Sequence, residues 1–71
     1  MKHWLIVYLR RTGTLVRCQE FGNGQEAIRE RFALERGQYR GNPDAEIVVL
    51  SGNSLDTIKR THSRYFLHAK T

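Results

Sequence analysis

Seventy-one residues make one domain and leave no room for a second. A chain this short buries only about 60% of the surface its unfolded form exposes, so its core is marginal without a disulfide, a metal or self-association. The single Cys18 excludes an intramolecular disulfide, and no Cys/His spacing suits zinc. Self-association or tight packing is left, which points to a homodimer. One unpaired cysteine fits a reducing compartment, and the expected location is the cytoplasm. No segment reaches the ~18 consecutive apolar residues of a membrane span. The start, Met1 to Arg10, has a signal-peptide look, but its apolar run is too short and no small-residue cleavage site follows.

The net charge of +5 points towards acidic partners such as nucleic acid. Over residues 1–23, Lys2, Arg10, Arg11 and Arg17 stand against Glu20 and leave +3. Residues 24–45 balance, with four arginines against Glu26, Glu30, Glu35 and Asp44. Residues 46–71 set Lys59, Arg60, Arg64 and Lys70 against Glu46 and Asp56 and leave +2. The excess therefore sits on the first and last parts of the chain.

The apolar run from Trp4 to Leu9 is short, β-branched and aromatic, and reads as a strand. Thr12-Gly13 can turn the chain, and Leu15 to Phe21 returns as a second strand. With those two residues as the loop, Leu9 faces Val16, Val7 faces Cys18 and Leu5 faces Glu20. On the other side Arg10 meets Leu15, Tyr8 meets Arg17, Ile6 meets Gln19 and Trp4 meets Phe21. A slip of one residue would exchange the two faces.

Asn23 can cap a helix, with Glu26 completing a capping-box pattern. Ile28, Phe32 and Tyr39 fall on one stripe of it, Arg31 and Glu35 are one turn apart, and Gly37 or Gly41 ends it before Pro43. Glu46 to Leu50 gives a short buried strand. Asn53 with Asp56 repeats the capping pattern before a final helix. That helix carries an apolar stripe of Leu55, Ile58, His62, Tyr65 and Phe66. The last few residues are expected to fray.

The order strand, strand, helix, strand, helix predicts an α+β fold. The expected arrangement is ββαβα, a three-stranded sheet in the order 2-1-3 with two helices on one face. The other face would then be open. An open face should alternate apolar with polar residues, yet Trp4, Ile6 and Tyr8 lie opposite Leu5, Val7 and Leu9 on the first strand. With Arg10, Leu15, Arg17, Gln19 and Phe21 they would form an apolar and basic patch, and such patches mark interaction sites. The expected contact residues for a protein partner are Trp4, Ile6, Tyr8, Arg17 and Phe21. A homodimer, a heterologous protein and single-stranded nucleic acid stacked on Trp4 and Tyr8 compete for this face. The plain alternative is that the terminal helix or tail folds over it as ordinary core.

The remaining candidates are better explained structurally. Arg36-Gly37-Gln38-Tyr39-Arg40-Gly41 faintly resembles arginine-glycine RNA-binding segments, but a helix end with two stop signals accounts for it. Ser51-Gly52-Asn53-Ser54 lacks phosphate-loop spacing and reads as capping. His62 reads as a core histidine, and His62 and Ser63 point about 100° apart, too far for base and nucleophile. His3 and His68 lie near the termini without chelating spacing. Cys18 is expected to face the helices as an inert hydrophobe. No catalytic constellation, metal site or cofactor motif is apparent, and no small-molecule substrate is indicated. The chain is therefore read as a non-enzymatic binding protein. The alternative is a nucleic-acid-binding module using Arg10, Arg11 and Arg17 of the hairpin with Lys59, Arg60 and Arg64, which with Thr57 and Ser63 line the polar face of the last helix, a stripe that a solvated helix face also explains.

The stretches Arg10-Arg11-Thr12-Gly13, Ile28-Arg29-Glu30-Arg31-Phe32 and Arg60-Thr61-His62-Ser63-Arg64-Tyr65-Phe66, set around Val48-Val49-Leu50, resemble a family of short proteins of actinobacteria and their phages. That resemblance implies an intracellular setting and a phage-type accessory role; it carries no activity and no site residues.

Overall fold

The computed structural model describes residues 1–67. The expected fraying of the chain end, and His68 and Lys70, lie outside the described residues. The elements are β1 (Lys2–Leu9), β2 (Thr14–Phe21), α1 (Gly24–Arg36), β3 (Ala45–Gly52), α2 (Leu55–Thr61) and a 3-10 turn at Ser63–Tyr65. The sheet has the order β2-β1-β3, with β1 antiparallel to both neighbours. The ββαβα order and the 2-1-3 sheet are as the sequence predicts. No helix among the described residues is long and apolar enough to cross a membrane.

The helices do not share a face. Leu5, Val7 and Ile47 form one apolar cluster, joined by Leu34 of α1, Tyr39, Phe21 and Val49. Trp4, Ile6 and Tyr8 form the other, with Ile58 of α2, Tyr65 of the 3-10 turn, and Leu50, Leu55 and Phe66 at its margin. The two clusters take alternate residues of β1, so α1 covers one face and α2 with its turn covers the other. This explains why β1 does not alternate. A strand sandwiched between two helical layers is apolar on both sides, as in buried parallel sheets.

The hairpin register also differs from the expected one. Trp4 faces Glu20, Leu5 faces Gln19, Ile6 faces Cys18 and Val7 faces Arg17. A bulge then shifts the pairing, so that Tyr8 faces Leu15 and Leu9 faces Thr14. The turn runs over residues 10–13 rather than two residues, with Gly13 at φ 67°, a left-handed conformation that glycine adopts without penalty. The four-residue turn shifts β2 by two residues and the bulge takes one of them back, so beyond the bulge the net slip is one, which moves Arg17, Gln19 and Phe21 to the α1 face and Cys18 to the α2 face. Cys18 is exposed there rather than buried. Partial desolvation raises its pKa, while the nearby Lys59 charge pulls the other way.

Asn23 caps α1 by accepting from the Gln25 N–H at 2.8 Å. The cap of α2 is Ser54, not Asn53, and it accepts from the Thr57 N–H. Helix α2 sits close to the sheet because Gly52 leaves space. A β-carbon there would lie 3.1 Å from Cδ1 of Ile58. The predicted stripe of α2 is buried as expected at Ile58 and Tyr65, although the helix breaks at His62.

Candidate protein-docking edge

The residues expected to form an open patch do not form one. Trp4 is 3% exposed, Ile6 is fully buried and Tyr8 is 8% exposed, all beneath α2 and the turn. Phe21 packs on the opposite face with Leu5 and Val7. Arg17 lies on that α1 face too, where its guanidinium pairs with Glu30 at 3.0 Å and also donates to Gln19. The terminal helix has folded over the supposed binding face as ordinary core.

The basic set is likewise divided. Arg10 and Arg64 converge, but on a carboxylate. Arg10 donates to Glu46 at 3.3 Å and to the Pro43 carbonyl at 2.7 Å, and Arg64 donates to the other Glu46 oxygen. The Tyr65 hydroxyl donates to the same oxygen at 2.5 Å, and the Arg64 guanidinium lies 4.3 Å from the Tyr65 ring centre. Tyr65 in turn meets Tyr8 edge to face, with centroids 5.2 Å apart. Glu46 is thus the anchor of the 3-10 turn on β3. Its partial desolvation favours the neutral acid, but hydrogen bonds from Arg64 and Tyr65, the Arg64 charge and Arg10 prevail and hold its pKa below the ordinary value. The Arg11 N–H donates to Asp44 at 2.6 Å, which ties the hairpin turn to the start of β3. Lys59 and Arg60 lie on α2, with the Lys59 ammonium 5.9 Å from the Phe66 ring centre.

What the structure does leave unpartnered is the outer side of β3. The Arg10 N–H donates to the Asp44 carbonyl at 2.9 Å, which fixes the phase of the β1–β3 ladder. In an antiparallel pair, alternate residues turn their backbone groups towards the neighbour and away from it. Glu46, Val48 and Leu50 therefore bond to β1, while Ala45, Ile47, Val49 and Ser51 point outwards. The Ala45 N–H is taken by the Asn42 carbonyl at 3.3 Å, as that phase requires. Among the described residues, no other backbone group pairs with the outward groups of Ile47, Val49 and Ser51.

The two edges of the sheet are built differently. β2 is broken by its bulge and carries Arg17, Gln19 and Glu20, devices that discourage strand addition. β3 is unbroken over Ile47-Val48-Val49-Leu50, with no charge or proline among them. Beside it runs an apolar strip on α1, where Ile28 is 43% and Phe32 48% exposed. Sequence periodicity places these two with Tyr39 on the inward stripe. In the structure Tyr39 does pack on the sheet, from beyond the end of α1, but on the helix itself Ala27 and Leu34 take the inward side in place of Ile28 and Phe32. Glu30 leans towards β2, where it meets Arg17, and at about 100° per residue Ile28 and Phe32 fall on the flank away from β2. The position of Glu35 agrees, since it lines an open groove of about 490 Å³ with Tyr39, Pro43, Ala45 and Ile47.

No family model, curated protein or solved structure matches this chain. The edge must be interpreted on its own geometry. In the sequence it is marked only by the uncharged β-branched run of a terminal strand, and by two large apolar residues one turn apart beside the buried Ala27 and Leu34.

Proposed function

We propose that this chain is a non-enzymatic binding protein of a reducing, cytoplasmic setting that docks a protein through the β3 edge and the Ile28–Phe32 strip of α1. The observation that carries this reading is the open backbone edge from Ile47 to Ser51, with the helix that packs over that strand exposing the apolar side chains of Ile28 and Phe32. An added strand supplies main-chain hydrogen bonds, and side chains on the flank supply selectivity. The reading replaces the buried face of Trp4, Ile6 and Tyr8 with a surface that solvent reaches.

The test is a photo-cross-linking phenylalanine analogue placed at Phe32 in one variant and at Glu20, on the β2 edge, in another. An adduct with a protein is expected from position 32 and none from position 20. Adding Val49→Pro should abolish the adduct. The Val49 N–H points outwards, so proline removes a docking donor without breaking the β1–β3 ladder. A chain that yields no adduct at position 32 would sink the reading.

A second reading is nucleic-acid binding. It is favoured by Arg11, Arg29, Arg36, Arg40, Lys59 and Arg60, which make no ion pair among the described residues. It predicts affinity for single-stranded DNA or RNA that falls about tenfold or more between low and physiological salt, by counterion release. A flat salt response, or no binding at low salt, removes it.

A further inference from the structure

Resting on the docking reading above, we infer that the occupant of the β3 edge is a second copy of this chain, paired antiparallel through β3 about a two-fold axis normal to the sheet. Such an axis keeps each face on its own side. The result is a continuous six-stranded sheet, with both α1 helices on one face and both α2 helices on the other. A closed, isologous contact of this kind uses one patch on each copy.

Three features of the chain fit it to itself. The first is hydrogen bonding. Outward-facing residues pair with outward-facing residues in an antiparallel ladder. Centred on Val49, the pairing sets Ile47 of one copy against Ser51 of the other, and every outward group from Ile47 to Ser51 finds a partner. The alternative centre, on Val48, would set Ser51 against Ala45, whose N–H is already held by Asn42.

The second feature is charge. Glu46 is the one ionisable residue of β3, and in this register it lies opposite Gly52, already compensated by Arg10 and Arg64. Like charges do not meet across the new ladder. On the helical side the two α1 helices run antiparallel, so the end bearing Glu26 passes the end bearing Arg36 and the helix dipoles oppose.

The third is the apolar strip. Ile28 and Phe32 are exposed on the flank of α1 away from Glu30 and β2, and the two-fold would bring the same pair of the other copy towards them. A strand edge and an apolar flank then close together. The Val48 and Leu50 side chains, half-buried towards the α2 face, meet across the ladder and are sealed on that side.

The experiment is the solution mass by light scattering over a dilution series, with reductant present so that the exposed Cys18 forms no disulfide. The expected mass is twice the 8.3 kDa of the chain. Phe32→Glu should weaken self-association roughly thirtyfold or more, as loss of an interface hot spot does. Val49→Pro should leave a monomer, with folding of both variants confirmed by circular dichroism. Hydrogen exchange gives a readout that does not depend on variants. The Ile47, Val49 and Ser51 amides should be protected in concentrated protein and exchange faster on dilution, while Val48 and Leu50 stay protected throughout.

A dimer untouched by both substitutions, or one that leaves the Ile47 and Val49 amides unprotected, would overturn the inference. A monomer at all concentrations would also overturn it. If the Phe32 cross-linker then still captured another protein, the docking reading would survive with a different occupant. If it captured nothing, both would fall.

Discussion

Replacing Trp4 by alanine is expected to bring this protein close to its unfolding threshold. Trp4 is 3% exposed and lies between the sheet and α2. Truncating a buried aromatic of this size costs about 3–5 kcal/mol, from lost transfer energy and the cavity left behind. A chain of this length has roughly 4–10 kcal/mol in total, at about 0.05–0.15 kcal/mol per residue. The urea midpoint should therefore fall by a third or more, with loss of the α2 layer. Phe32→Ala is the comparison. Phe32 is 48% exposed on a helix flank, so its removal should change monomer stability by about 1 kcal/mol or less. The contrast separates the two uses of apolar residues in this fold. If Trp4→Ala unfolded at the parent's urea concentration, the face of Trp4, Ile6 and Tyr8 would be open after all, and the docking site would move back to it.

The same contrast shows what could be read before the structure. Strand and helix positions, the sheet order and the cap at Asn23 follow from local signals: β-branched runs, an Asx residue ahead of a periodic stretch, a glycine at the turn. The layer arrangement does not. Trp4, Ile6 and Tyr8 are apolar on the face opposite Leu5, Val7 and Leu9, and two physical situations give that pattern. One is an open face awaiting a partner; the other is a second helix supplied by the chain itself. Local pattern cannot choose between them, because the choice lies in which way the chain turns after β3. The short Gly52-to-Leu55 link and the close seat of Ile58 on Gly52 decide it in favour of the second.

The hairpin register failed for a related reason. Thr12-Gly13 is a good two-residue turn by composition, but Arg10 and Arg11 are held outside the strand by Asp44, Pro43 and Glu46, residues more than thirty positions away. The turn lengthens to residues 10–13, the bulge after Val7 leaves the rest of β2 a net one residue out of the expected register, and the set Trp4, Arg17 and Phe21 is scattered over two faces. Ile28, Phe32 and Tyr39 match helical periodicity, but α1 ends at Arg36; Tyr39 reaches the core from the turn beyond it, while Ile28 and Phe32 leave the buried side of the helix to Ala27 and Leu34. The small, fully buried Ala27 lets the helix lie close to the sheet. The displaced Ile28 and Phe32 are what give the β3 edge its apolar flank.

Glu46 connects that edge to the rest of the fold, and its protonation should be visible in stability. Glu46→Gln keeps the shape but removes the charge that Arg10, Arg64 and Tyr65 address. The expected loss at neutral pH is roughly 1–3 kcal/mol, the range for hydrogen bonds to a charged group. The pH dependence has a definite sign. Because the folded carboxyl titrates below its unfolded value of about 4.3, its contribution is complete above that pH. It fades as pH falls through the lower, folded value. Urea unfolding of the parent and of Glu46→Gln should thus differ by a constant amount from about pH 6 to 8 and converge in acid. Tyr65 provides the alkaline counterpart. Burial, then the hydrogen bond to Glu46 and its charge, raise the phenol's pKa against the opposing pull of Arg64. The folded state therefore loses stability as pH rises past about 10, where the unfolded phenol ionises first. With Glu46 neutral this alkaline loss should shrink. A parent and variant that differ equally at acid, neutral and alkaline pH would mean the carboxylate is a packing element only. The 3-10 turn would then be held over Tyr8 by its aromatic contacts without help from charge.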